Sequence, residues 1–145
     1  MKTIVMNKKN TKHIQEFEAY RSCFPSWYWS QGLHDAKILS ATPLELPPDW
    51  KAHTPRYNCL ELTFDASGAM YDTKVTKITL YNYKLLTPDF DLGNLSGAWW
   101  YGDILTVEAE GKFRLELHYQ LPGSHYARDY TVELRFAEAE VERKN

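Results

Sequence analysis

An imidazole and a carboxylate stand side by side at His34 and Asp35, within the run Gln31-Gly-Leu-His-Asp-Ala-Lys-Ile-Leu39. Such a pair does acid–base chemistry when both groups share one surface. Successive side chains of a strand point to opposite faces, so a strand opening at Leu33 would part them. His34 then shares parity with Ala36 and Ile38 and is expected to turn inward. An inward histidine bonds a backbone carbonyl or a tyrosine and fixes the strand's position, so His34 and Asp35 are assigned a structural role at the opening of the first strand.

Three aspartates, Asp89, Asp91 and Asp103, flank a run of aromatic residues. Paired carboxylates beside aromatic rings suit a sugar-binding or sugar-cleaving site. Loop aspartates also bond their own backbone and simply form turns. The aromatic segments Trp27-Tyr28-Trp29 and Trp99-Trp100-Tyr101 are the binding candidates, because Trp and Tyr dominate interaction hot spots. Their competing role is to fill the core. Counting back by twos from Leu105 puts Trp99 and Tyr101 on the core side and Trp100 outward, unless Gly102 marks a bulge that reverses the order.

Other chemistries lack their residues. Metal binding through His34 would need donors such as His118, His125 or Asp103, yet no His-x-His or His-x-x-x-His spacing occurs. No Gly-x-Ser-x-Gly elbow is present, and Gly93-Asn-Leu-Ser-Gly97 lacks the basic residue of a phosphate loop. Cys23 and Cys59 form no Cys-x-x-Cys pair and are expected to be free thiols in a reducing cytoplasm. No catalytic residue, metal or cofactor is assigned. A net charge of −2 leaves no basic excess for nucleic acid or anionic lipid, and the cluster Lys8, Lys9 and Lys12 reads as a solvated terminus. No run approaches the ~20 apolar residues of a membrane span.

The elements that must position these residues follow from periodicity. Lys112 to Leu121 alternates polar and apolar without a break, the pattern of a half-buried strand. Similar alternation predicts strands over 33–46, 57–66, 70–83, 103–110 and 126–141, joined by turns at Ser67-Gly68, Gly111 and Pro122-Gly123. Ile14, Phe17, Tyr20 and Phe24 recur at helical spacing, which predicts a helix over 11–23 ended by Pro25. Residues 47–56 and 84–98 are expected to be loops, and residues 1–10 a weakly structured terminus. The expected fold is α+β: one domain over 1–145, an N-terminal helix packed on a mainly antiparallel, meandering sheet of about six strands.

The segment 31–39, followed by the strand Leu60-Glu-Leu-Thr-Phe64, resembles small bacterial proteins in which a Leu-His-Asp-Ala/Ser motif opens a strand, some of them similar to immunity proteins of toxin systems. That resemblance implies a bacterial, cytosolic domain without catalysis. Three functions stand open: binding a protein partner, binding a small sugar or aromatic ligand beside the rings, or hydrolysis using His34 with a nearby aspartate.

Overall fold

In the computed structural model, alternation becomes nine antiparallel strands among the described residues: β1 (Val5–Asn7), β2 (Ala36–Glu45), β3 (Asn58–Asp65), β4 (Val75–Tyr81), β5 (Lys84–Leu85), β6 (Trp99–Ala109), β7 (Lys112–Gln120), β8 (Tyr130–Phe136) and β9 (Glu138–Arg143). The structure describes residues 5–7, 29, 33–52, 55–69, 74–109, 111–123 and 129–144.

Two meanders, β2–β3–β4 and β6–β7–β8, join through their first and third strands. Trp100 opposes Ala36 at the first junction. At the other, the ladder holds one register from Ile78↔Val141 through Tyr81↔Glu138 to Lys84↔Arg135 and Leu85↔Leu134. Strands β8 and β9 are thus one strand bent at Ala137, whose N–H donates to the Tyr81 carbonyl. Leu134 opposes Leu115 on one edge and Leu85 on the other, and Leu80 opposes Leu60 and Ala139. The sheet therefore closes into a barrel.

Closure explains the burial pattern. Leu60, Leu62, Ile78, Leu80, Leu105, Leu115, Leu117, Val132, Leu134 and Phe136 project into one interior. The outer face is polar: Lys77 bridges Glu61 and Glu142 at 3.3 and 3.5 Å. A charge ladder of this kind costs little to solvate and opposes edge-to-edge pairing.

The α+β expectation is overturned. Among the described residues no α-helix occurs, and the segment 92–95 forms a single 3-10 turn. The helix expected over 11–23 lies outside the described residues, as do Trp27 and Cys23. The strands exceed six for identifiable reasons. The bend at Ala137 divides one expected strand, and Lys84–Leu85 in the expected loop continues the β4 ladder. Val5–Asn7, within the segment read as weakly structured, pairs with β6. The loop is also anchored, because Leu95 and Ala98 are fully buried and the Gly97 N–H donates to the Ile38 carbonyl at 2.7 Å.

Among the described residues no helix is long and apolar enough to cross a membrane.

Candidate functional site

Trp29 and Trp100, one from each aromatic run, meet beside the junction of β2 and β6. Trp29 and Trp100 pack edge to face at 5.6 Å between centroids, and Phe64 meets Trp100 in the same manner at 5.7 Å. Trp29 and Trp100 are both buried, at 2% and 0% exposure. Trp100 is thus the inward ring and Trp99 the outward one, the reverse of the parity count from Leu105. The register between β6 and β7 shifts between Trp100 and Gly102, so Tyr101 is an extra residue that flips every side chain before it.

Asp103, beyond the bulge and in parity with Leu105, faces inward opposite Leu117. Its carboxylate is 1% exposed and accepts a hydrogen bond from the Trp100 indole N–H at 3.1 Å. A buried carboxylate demands such donors, which ties Asp103 to the core rather than to a surface sugar site. Asp91 is exposed and turned onto its own chain, accepting from the Gly93 N–H at 2.9 Å. Asp89 is exposed in a turn with φ 55°. The three aspartates do not form one carboxylate site.

His34 and Asp35 precede the strand, which begins at Ala36. Asp35 has φ 69°, and this left-handed turn brings its carboxylate to 3.6 Å from His34 Nε2. The expected separation of the pair therefore fails, because strand geometry does not hold there. His34 Nδ1 bonds the carbonyl of Tyr101, and the two rings lie 5.5 Å apart. Outside this knot, Trp99 carries Lys37 Nζ 5.9 Å from its ring centroid.

A second imidazole, His118 on the outer face of β7, lies between carboxylates. Its Nε2 is 2.6 Å from Glu116 and its Nδ1 3.4 Å from Asp129. Residues 116 and 118 share one strand face, so their spacing was a readable signal. Among the described residues no group of three His, Cys, Asp or Glu side chains is arranged to hold a metal ion.

The most exposed large apolar side chains were absent from the sequence candidates. Trp50 is 91% exposed and Tyr57 66%, both on the arm that links β2 to β3, and Leu44 at its base is exposed too. Asp49 builds the tip: its carbonyl accepts from Ala52 N–H at 3.1 Å and its carboxylate from Lys51 N–H at 3.0 Å. Trp50 therefore rides on an aspartate-stabilised turn. The arm is clamped at its root by Asn82, whose carbonyl oxygen accepts from Tyr57 N–H at 2.6 Å and whose amide donates to the Pro55 carbonyl at 2.9 Å. Arg56 covers the Tyr81 ring at 3.8 Å and donates to Glu138 at 2.9 Å. Aspartate before an exposed Trp, between prolines 48 and 55, was the signal available in the sequence. No protein-family model, curated protein or solved structure matches the chain.

Proposed function

We propose that the chain is a non-enzymatic protein-interaction domain of the cytoplasm, and that the 46–57 arm is its recognition element. The observation that carries this reading is Trp50, almost wholly exposed on a turn whose root is clamped to the barrel. Leaving a tryptophan in water forgoes a burial gain of about 1.5–3 kcal/mol, which a partner recovers. The bonds that hold Pro55 and Tyr57 reduce the conformational entropy lost on docking, so more of that gain becomes affinity. The resemblance of residues 31–39 to small bacterial proteins, some of them similar to immunity proteins, suggests a protein neutralised by binding as the kind of partner. Trp99, half-exposed beside Lys37, is a second and weaker contact.

Affinity capture with the full chain as bait, comparing wild type with Trp50→Ala and Trp99→Ala, tests the reading. A discrete partner held by wild type, lost with Trp50→Ala and weakened less with Trp99→Ala, is expected. Equal capture by Trp50→Ala and wild type contradicts it.

A further inference from the structure

At the opposite end of the β2–β3 hairpin from the arm lies a cleft of about 260 Å³, formed where β3 ends, β4 begins and the chain leaves β9. Its walls differ in chemistry. Phe64 and Val75 give it an apolar floor, and Ser67 and Thr76 complete its lining, the Thr76 hydroxyl donating to the Glu142 carbonyl at 3.3 Å.

Two lysines, Lys74 and Lys144, line the same space. The Lys144 N–H donates to the Lys74 carbonyl at 2.7 Å, which holds these two residues side by side. Among the described residues, neither side chain is paired with a carboxylate, whereas Lys77 on the neighbouring face bridges two. The one acid in the lining, Asp65, is already engaged. Its carboxylate accepts from the Ser67 N–H at 3.0 Å, and Ser67 together with Lys37 holds its pKa below the ordinary range.

Backbone geometry supplies an independent observation. Among the described residues, four non-glycine residues have positive φ: Asp35, Asn82, Asp89 and Lys74 at 57°. Aspartate and asparagine tolerate that region through local hydrogen bonding, but lysine pays its steric cost without this relief. A demand of the backbone alone is met better by glycine or asparagine. Strain retained at one position points to a use for the side chain.

We infer that this cleft binds a small organic anion, a phosphate or carboxylate on an apolar body about the size of one ring. The ring would lie over Phe64 and Val75, and the anion would take charge-assisted hydrogen bonds from Lys74 and Lys144. This site is separate from the arm and does not rest on the protein-binding reading.

Titration of the ¹⁵N-labelled full chain with phenyl phosphate and with benzoate, followed by amide shifts, tests the inference. Saturable shifts at Phe64, Ser67 and Thr76 are expected with at least one probe, and inorganic phosphate and benzyl alcohol should each bind at least ~tenfold more weakly than that probe, because each lacks one half of the recognised chemistry. Lys74→Gly relieves the left-handed strain, so it should match or exceed wild type in thermal midpoint while losing affinity ~tenfold or more. Lys144→Ala removes an exposed side chain and keeps the backbone bond to Lys74, so it should weaken binding without unfolding. No saturable shift with either probe, benzyl alcohol binding as well as the anions, inorganic phosphate binding as well as both, or undiminished affinity in the two variants would overturn the assignment.

Discussion

The Trp100 indole donates its N–H to the Asp103 carboxylate at 3.1 Å, both side chains lying inside the barrel on the two sides of the Tyr101 bulge. The bond couples the position of the bulge to the polarity of the core. A register slip that moved Trp100 outward would strand a buried carboxylate without this donor.

Removing either partner is therefore costly. Asp103→Ala should destabilise by ~1–3 kcal/mol, the cost of a buried polar group left without its partner, whereas Asp103→Asn keeps an acceptor oxygen and should lose less. Trp100→Ala should cost about 3–5 kcal/mol through the cavity it opens between Trp29 and Phe64. Urea unfolding midpoints of the three variants give the order directly.

His34 bonds a backbone carbonyl rather than the Tyr101 hydroxyl. Substituting His34 with Ala should lower stability by ~0.5–1.5 kcal/mol, while Tyr101→Phe leaves that bond intact. Comparable loss in both variants would show that the hydroxyl matters more than the carbonyl.

Asn82 holds the arm by two hydrogen bonds from a left-handed backbone with φ 53°. Glycine tolerates that backbone but makes neither bond, so Asn82→Gly isolates the clamp. Faster amide exchange at Tyr57 is expected in the variant, with protection of the barrel amides retained.

Alkaline pH should destabilise the fold. Burial raises the pKa of Cys59, with Glu61 adding to the shift, and burial likewise raises Tyr81, Tyr83 and Tyr119. Above their ordinary values these groups hold protons in the folded chain that the unfolded chain has released. Stability falls with rising pH in that regime. The contribution is whole below about pH 8.5, the ordinary thiol value, and declines from there through the tyrosine range near 10. Urea midpoints measured at about pH 7.5, 9 and 10.5 should decrease in that order.

Much of the barrel wall is legible in the sequence because period-two alternation is a local property. Leu60, Leu62 and Phe64, or Phe113 through Tyr119, declare their inward face without knowledge of any neighbour. Closure is not local. It depends on Ala137 bending one strand so that its halves meet β7 and β4, the second pairing joining segments more than fifty residues apart. The site was half legible for the same reason. Residue type singles out Trp29 and Trp100, whose rings pack together, but the bulge at Tyr101 inverts Trp99 and Trp100, and a turn rather than a strand sets the angle between His34 and Asp35. Trp50 escaped notice because it stands alone in a loop, where exposure rather than pattern gives it meaning.

Site-specific photocrosslinking tests the proposed recognition arm most directly. A benzophenone amino acid replaces Trp50 in one variant and Arg114, exposed on the outer wall of β7, in another. Because Trp50 makes no core contact, the variant should fold with stability within about 0.5 kcal/mol of wild type. The account predicts that irradiation in cell lysate joins the position-50 variant to one discrete protein, that excess wild-type chain suppresses the product, and that the position-114 variant forms none. Identical products from both positions, or none from position 50 in a lysate where wild type captures a partner, would contradict it.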